Sequence, residues 1–269
     1  TFSYASWGEG TMDVKATYRE PWVAHMPIDL EGRFSYMGRM TYRKVGAEGG
    51  LIGRVIGAFS VEGGGGFEMT NRDYGRDTHD YYGYTGIIYD TLPKGEIPRE
   101  GGIIHPRLDY GIRKMVGFGS KRDLYEYKPD NLVRVRLTGE GERYFSAGLL
   151  VFMLGMRGGI VHIGGEGLED GDMFEVGGVG SLRGYRRGAF IADRYATLTC
   201  EVHLMMGERA YLYPFVDAGV MHNGDSMKAK LGYGVGIGVD VGVGLLRLSY
   251  ALGQGGLSEG MVNIGLEMW

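Results

Sequence analysis

The sequence has one cysteine, seven prolines, three tryptophans and no long apolar run among its 269 residues. The single cysteine, Cys200, cannot form an internal disulfide, which excludes a small disulfide-stapled domain. The longest apolar stretch, Phe145 to Met156, has 12 residues and two glycines, well short of the ~20 residues that span a membrane as a helix. The N-terminal residues lack the pattern of a secretory signal peptide, so we expect a mature, trimmed or partial chain.

Excess positive charge and catalytic motifs are also missing. Lys and Arg number 29 against 33 Asp and Glu, a net charge of −4, so no basic surface indicates a nucleic-acid partner. The six histidines are scattered singly, without the i, i+4 spacing of a helical metal site, and no Gly-x-Ser-x-Gly elbow occurs. The sequence therefore predicts no catalytic residue, no metal and no cofactor, and we expect that the chain is not an enzyme.

Glycine and tyrosine are abundant instead. The chain has 51 glycines and 19 tyrosines, whereas glycine makes up ~7% of an average protein. A Gly-X-Y period is absent, which excludes collagen, and 43% hydrophobic with 12% aromatic residues exclude low-complexity disorder. These proportions indicate a β-rich chain in which glycine occupies crowded positions.

Period-two alternation is clearest towards the C-terminus. From Tyr195 to Leu204 one face is polar and the other apolar, and from Leu231 to Val241 apolar residues alternate with glycine up to Asp240. Polar-in, apolar-out alternation is typical of a transmembrane barrel, and a membrane protein without a spanning helix must close its sheet. The glycine face of 231–241 leaves space for another segment to lie against it.

The pattern predicts an all-β fold, an antiparallel transmembrane β-barrel with 14 visible strands, an even number as in bacterial single-chain barrels. The connections alternate between short turns, which include Glu62 to Gly66 and Gly139 to Arg143, and long loops, which include Gly38 to Glu48, Met115 to Asp130 and Gly158 to Asp193. The predicted strands are 1–8, 11–20, 27–38, 49–61, 64–72, 81–90, 102–113, 131–139, 144–157, 194–206, 210–221, 230–241, 245–252 and 260–269.

One loop carries an unusual motif, Leu182-Arg183-Gly184-Tyr185, preceded by the pair Gly177-Gly178. A later strand carries Phe215-Val216-Asp217-Ala218-Gly219, and the chain ends on Ile264-Gly265-Leu266-Glu267-Met268-Trp269. Together these segments resemble the loop signature, the Phe-x-Asp-x-Gly strand and the terminal strand signal of the BamA/TamA-type outer-membrane assembly family, the bacterial surface antigen barrels. Trp269 departs from that signal by one position, because it lies off the apolar face assigned to this strand.

The resemblance implies a sixteen-stranded barrel in which a long extracellular loop folds into the lumen and Arg183 reaches Asp217. Residues 1–269 would then be a single barrel domain that lacks the first strands and the periplasmic POTRA domains. It further implies an integral protein of the Gram-negative outer membrane that assists insertion, assembly or translocation of outer-membrane proteins. The implied partners are outer-membrane lipids, unfolded outer-membrane protein clients, and POTRA domains or accessory lipoproteins.

Three alternatives remain open at this stage. A transporter of the two-partner secretion type shares the loop signature. A barrel could also anchor an appended enzyme such as a patatin-like phospholipase, or serve as a structural subunit of a larger envelope complex. An ordinary passive porin should lack the loop arginine and its aspartate partner.

Overall fold

The structure of the protein, a computed structural model, describes residues 2–6, 11–118, 131–165, 167–169, 171–224 and 226–268. Most of the predicted loop from Met115 to Asp130, and Trp269 of the predicted terminal signal, lie outside these residues. No helix in the described part of the chain is long and apolar enough to cross a membrane. Regular structure is instead almost entirely β.

Sixteen strands follow one another along the described chain, with two short 3₁₀ turns at Val23–His25 and Leu257–Glu259. The strands are β1 (Phe2–Ser6), β2 (Met12–Glu20), β3 (Ile28–Gly38), β4 (Tyr42–Ile56), β5 (Phe59–Arg72), β6 (Arg76–Asp90), β7 (Gly101–Phe118), β8 (Asn131–Ala147), β9 (Leu150–Ile163), β10 (Phe174–Val176), β11 (Phe190–Ala192), β12 (Arg194–Met205), β13 (Ala210–Asn223), β14 (Ser226–Asp240), β15 (Gly244–Leu252) and β16 (Met261–Met268).

Fourteen of these strands form one sheet in chain order, and β10 pairs with β11 in a separate two-stranded ribbon. Strand pairs such as β3 with β4 and β13 with β14 are antiparallel. The prediction of an all-β antiparallel fold is therefore confirmed. Closure of the sheet into a barrel is not detected among the described residues, so the closed barrel stays a prediction.

Several predicted connections are wrong. Glu62 to Gly66 lies inside β5 and Gly139 to Arg143 inside β8, while the actual turns fall at residues 57–58 and 148–149. The predicted loop from Gly38 to Glu48 is also too long, because β4 begins at Tyr42. The predicted loop from Gly158 to Asp193 begins too early, because β9 continues to Ile163.

At Glu62 to Gly66, glycines in mid-strand explain the error, because they make room for neighbouring backbone and rings rather than for a turn. A Cβ added to Gly64 would lie 2.3 Å from the carbonyl oxygen of Gly49 and 2.7 Å from the hydroxyl of Tyr84. A Cβ on Gly66 would lie 3.0 Å from the ring of Tyr82. Glycine within a strand often marks such a close approach.

The chain divides into two compact units. The first comprises Thr1–Ile88, Arg107–Leu137 and Val161–Asp172, and the second comprises Tyr89–Pro106, Thr138–Ile160 and Met173–Trp269. In the first unit, charged side chains that are buried or partly buried follow one face of the sheet: Glu48, for example, accepts from both terminal nitrogens of Arg107 at 3.0 and 2.9 Å and from the hydroxyl of Tyr82 at 2.7 Å.

In the second unit the two faces of the sheet differ sharply. One face, here called the apolar face, exposes side chains such as Leu198, Leu212 and Val216, each more than two-fifths exposed. The other, here called the covered face, buries Glu201 and Asp217. This alternation agrees with the faces predicted from the sequence for β12, and it places polar side chains where a loop can reach them.

Candidate functional site

The long connection, defined as residues 164–193 between β9 and β12, contains the Leu-Arg-Gly-Tyr motif. Between β10 and β11 the backbone turns tightly, because the amide of Gly178 donates to the carbonyls of Leu182 and Tyr185, both at 3.0 Å. Gly177 and Gly178 have φ angles of 126° and 83°, a region that favours glycine. A Cβ on Gly177 would also lie 2.3 Å from the carbonyl oxygen of Arg186. The glycine pair therefore shapes the turn that presents the motif.

Arg183 carries a buried charge from this turn to the covered face, where its side chain is 6% exposed. Its Nε and Nη2 donate to the two carboxylate oxygens of Asp217 at 2.8 and 2.7 Å, and Nη1 donates to Glu201 at 2.6 Å. The backbone amide of Arg183 donates to Asp217 as well, at 3.0 Å. The guanidinium lies over the ring of Phe215, 3.5 Å from its centroid. Bidentate pairing of this kind fixes position and orientation together.

The two carboxylates have further donors on neighbouring strands. Thr199 Oγ1 donates to Asp217 at 2.9 Å. The second oxygen of Glu201 accepts from Arg247 Nη2 at 2.5 Å and lies 2.7 Å from His203 Nε2. The carboxylates of β12 and β13 are thus paired with two guanidiniums, one from the long connection and one from β15, and such pairing is what keeps buried charges tolerable.

The same partners set the protonation of the loop arginine. Burial by itself would lower the pKa of Arg183, but the hydrogen bonds and charges of Asp217 and Glu201 raise that pKa above its usual value. Arg183 therefore stays positively charged on the covered face.

The backbone of the motif touches the backbone of the sheet. A Cβ on Gly232 in β14 would lie 1.9 Å from the carbonyl oxygen of Arg183, and one on Gly184 would lie 2.4 Å from the carbonyl of Leu252. Leu182 is fully buried, and its Cδ2 would be 3.4 Å from a Cβ on Gly219. Glycine at these three positions lets the turn approach the sheet closely.

Tyr185 adds a contact at the edge of the motif. Its hydroxyl donates to the carbonyl of Leu231 at 2.9 Å, and its ring meets the ring of Phe190 edge-on with 5.1 Å between centroids. The structure thus brings Leu182, Arg183, Gly184 and Tyr185 together with residues of β13 and β14.

The glycine face of β14 is filled mainly by aromatic rings, which differs from the expectation that the loop would occupy it. Added Cβ atoms on Gly234, Gly236 and Gly238 would lie within 2.7 Å of the rings of Phe215, Tyr213 and Tyr211, respectively. These aromatic residues stand directly opposite the glycines on β13. The long connection meets this face at Gly232, where the carbonyl oxygen of Arg183 lies next to the strand.

A cavity of about 380 Å³ lies on the covered face of the second unit, lined in part by Tyr144, Arg157 and Arg247. Residues 91–100, the connection from β6 to β7, lie against it through Leu92, Ile97 and Pro98. Ile97 is 6% exposed and belongs to the cluster of buried residues that includes Tyr144.

The predicted terminal strand signal lies on β16. Ile264 and Leu266 are 70% and 54% exposed on the apolar face, and Gly265 alternates with them. Their role as an assembly signal stays a prediction. Among the described residues no group of three or more His, Cys, Asp or Glu could hold a metal ion.

Sequence reasoning missed several residues of this site. His203 and Arg247 are polar residues in predicted strands, but nothing in the sequence indicates that both would meet Glu201. The contact of Arg247 with Glu201 depends on how β12 and β15 are aligned in the sheet, and these strands are far apart in the sequence. Ile97 gave no signal either, since residues 91–100 carry no periodic pattern.

The chain is similar in fold to proteins of known structure. No curated protein sequence matches the chain. Among solved structures it is similar to BamA from Haemophilus ducreyi lacking POTRA domains 1–3, with a TM-score of 0.68 and 16% identity, covering 94% of this chain and 60% of that one. It is also similar to CdiB from Acinetobacter baumannii, with a TM-score of 0.58 and 12% identity, covering 96% of this chain and 57% of that one.

The chain thus spans less than two thirds of the length of both structures, and at these identities the likeness is one of fold. The family comparison is more direct, because the model of the Omp85 superfamily domain matches residues 25–256. The resemblance drawn from the loop motif and the Phe-x-Asp-x-Gly strand agrees with this match, and the chain belongs to the Omp85 superfamily.

Proposed function

We propose that the chain is the membrane-embedded domain of an outer-membrane protein that inserts or assembles other outer-membrane proteins. The observation that carries this proposal is the set of ion pairs that joins Arg183 to Asp217 and Glu201. A passive porin has no need of a buried cation that ties a loop to its wall. The exposed apolar face of the second unit supports contact with lipid, since large apolar patches exposed to water are rare.

The proposed mechanism is physical, and no residue is assigned a chemical step. Unpaired backbone groups at the edges of the sheet would template an incoming strand by β-augmentation. A short apolar belt would thin the bilayer nearby and lower the barrier to insertion. In this proposal the contacts of Arg183 hold the long connection in the lumen, so that the wall keeps one shape while a client strand pairs.

The clients would be unfolded outer-membrane proteins, and POTRA domains or accessory lipoproteins would deliver them. A transporter of the two-partner secretion type remains the second candidate, because both kinds of protein would use the same fastened loop. The two candidates differ in where the client ends up, which makes them separable.

The test uses full-length protein reconstituted in liposomes with an unfolded outer-membrane β-barrel protein as client. The variants are Arg183→Ala and Asp217→Asn, with Arg186→Ala as the control, because Arg186 is an exposed arginine of the same connection. Insertion is followed by heat-modifiable gel mobility of the client. We expect insertion by wild type and by the control, and at least tenfold slower insertion by the two variants.

Two outcomes would contradict the proposal. Wild-type insertion rates in both Arg183→Ala and Asp217→Asn would mean that the ion pairs do not serve assembly. Client that is protease-protected inside the vesicles but never acquires heat-modifiable mobility would instead identify a transporter.

A further inference from the structure

A second buried cluster in the first unit involves the other half of the long connection. Asp172 is 2% exposed. Its Oδ1 accepts from Arg72 Nη2 at 2.8 Å, and its Oδ2 pairs with Arg113 Nη1 at 2.8 Å. Arg72 lies in β5 and Arg113 in β7, so the carboxylate joins two strands of the fourteen-stranded sheet, here called the wall.

The arginines that receive Asp172 are themselves fixed. Arg113 donates to both oxygens of Asp80 at 2.7 Å. Arg72 donates to the backbone oxygen of Arg76 at 2.7 Å and to the hydroxyl of Thr78 at 3.2 Å. Because these side chains have little freedom left, the position of Asp172 is determined by the wall.

Neighbouring residues of the connection reinforce the contact. Glu169 pairs through Oε2 with Arg72 Nε at 3.0 Å, and its backbone amide donates to Asp172 at 3.1 Å. Lys44 in β4 donates to the carbonyl of Gly171. Gly171 has a φ of +92°, and a Cβ there would lie 3.2 Å from the ring of Tyr42. Glu169, Gly171 and Asp172 thus all contact a basic part of the wall.

The signs of the charges favour this seating. Lys44, Arg72, Arg113 and Arg134 belong to the wall, and the carboxylates that these side chains contact within it include Glu68 and Asp80. Asp172 and Glu169 supply two further negative charges from the connection. Burial alone would raise the pKa of Asp172, but the hydrogen bond and charge of Arg113, with the charges of Arg72 and Lys44, lower that pKa below its usual value. The Asp172 carboxylate is therefore ionised next to Arg72 and Arg113.

We propose that Asp172 is a second anchor of the long connection, a positioning residue that, with Glu169 and Gly171, holds the first half of the connection on the first unit independently of Arg183. The two anchors have opposite polarity: here the connection brings an acid to basic wall residues, whereas at Arg183 it brings a base to acidic ones. Neither half can bind in place of the other, and complete release requires two ion-pair clusters of opposite arrangement to open. This inference goes beyond the proposed assembly role and does not depend on it.

The test cleaves each half of the connection with a different protease in the full-length protein in detergent. The Glu-C rate is that of the cut after Glu169, identified by fragment mass because Glu175 in the second half is also a Glu-C site, and it reports on the first half. Trypsin cuts after Arg186 and Arg187 and reports on the second half. The variants are Asp172→Asn, which removes the charge at nearly constant shape, Asp172→Glu, which retains it, and Arg183→Ala. Asp73→Asn is the matched control, because Asp73 is an exposed aspartate on another connection of the first unit.

We expect Asp172→Asn to raise the Glu-C rate at least tenfold over wild type and over Asp73→Asn, with the trypsin rate unchanged within about twofold, because local opening follows local contacts. Asp172→Glu should keep most of the protection. Arg183→Ala should show the reverse pattern, with faster trypsin cleavage and an unchanged Glu-C rate. Heat-modifiable mobility verifies that each variant is folded.

Two results would overturn the inference. A Glu-C rate in Asp172→Asn no greater than in the control would remove Asp172 as an anchor. Simultaneous opening of both halves in either single variant would mean one cooperative latch instead of two anchors. If Asp172→Asn does not fold, Arg72→Lys replaces it: this variant keeps the positive charge but loses the fork that binds Asp172 and Glu169, and the same two rates decide. No client is involved, so failure here is distinct from failure of the assembly assay.

Discussion

A single methyl group on the wall should detach the motif from the sheet. In Gly232→Ala the new Cβ would lie 1.9 Å from the carbonyl oxygen of Arg183, whereas ordinary contact begins at 3.4 Å. Both atoms belong to backbone or are bonded directly to it, so neither can move aside by changing rotamer. The backbone at Arg183 must retreat by about 1.5 Å, which is the difference between these two distances.

That retreat would break the contacts that hold Arg183. Its bonds to Asp217 measure 2.7 and 2.8 Å, and lengthening them by about 1.5 Å takes them beyond hydrogen-bond range. Disrupting a buried charge pair typically costs about 3–5 kcal/mol. Taking the lower figure, we expect the fraction of molecules with the motif detached to rise by roughly 10²-fold, since about 1.4 kcal/mol is a factor of ten.

Trypsin cleavage after Arg186 and Arg187 measures this fraction in folded protein. Gly265→Ala is the control, because Gly265 is also a mid-strand glycine and an added Cβ there meets nothing within 4 Å. The control accounts for the general effect of alanine in a strand. Equal cleavage rates in Gly232→Ala and Gly265→Ala would refute the reasoning, since the clash would then have been relieved without loss of the ion pairs.

Three further predictions concern the rest of the chain. Ile97→Asp places an unpaired charge in the buried cluster and should displace residues 91–100, which we expect to raise ion conductance in planar bilayers severalfold over Ile97→Val; unchanged conductance would contradict this. Tyr211→Ala removes a ring that is 1% exposed and stacked on His203 at 4.2 Å, and should lower the free energy of unfolding in urea by about 3–5 kcal/mol, whereas Tyr211→Phe keeps most of it. Because the folded pKa of Asp172 is lowered, its contribution to stability is complete above the ordinary carboxyl pKa and is lost as pH falls through the lowered value. The urea midpoints of wild type and Asp172→Asn should therefore differ by a constant amount above roughly pH 5 and converge only below about pH 4; a difference that disappears near neutral pH would contradict this assignment.

The sequence pattern predicted the faces correctly where strands alternate between exposed apolar and buried polar side chains. The faces of β12 follow directly from the residues between Tyr195 and Leu204, because the side-chain period of a strand is two. It failed at Gly64 and Gly139, where glycine was taken as a turn signal. At Gly64 the neighbours that require glycine are the backbone of Gly49, 2.3 Å from an added Cβ, and the hydroxyl of Tyr84 at 2.7 Å. They lie 15 and 20 positions away in the sequence, and no local rule can find such partners.

In the site, too, local sequence motifs identified some residues, whereas contacts between residues distant in the sequence were missed. The motif led to Arg183 and, through the family resemblance, to Asp217. The participation of Glu201 with Arg247 could not be predicted, since it requires the register of β12 and β15 on one face. This contact also changes an experiment: exchanging Arg183 and Asp217 would place a carboxylate against Glu201, so the exchange should restore less than full protection of the motif.

The aromatic residues of β13 and the glycines of β14 together specify how these two strands align. Four consecutive covered-face residues, Tyr211, Tyr213, Phe215 and Asp217, stand opposite Gly238, Gly236, Gly234 and Gly232. Asp240 follows this row of glycines at one end and Lys230 precedes it at the other. A slip of one residue would bring branched or aromatic side chains under the rings, and a slip of two would push one end of the row against a charged side chain. The side chains of this hairpin therefore select a single register, because only one alignment accommodates all four side chains and leaves Asp217 in place for Arg183.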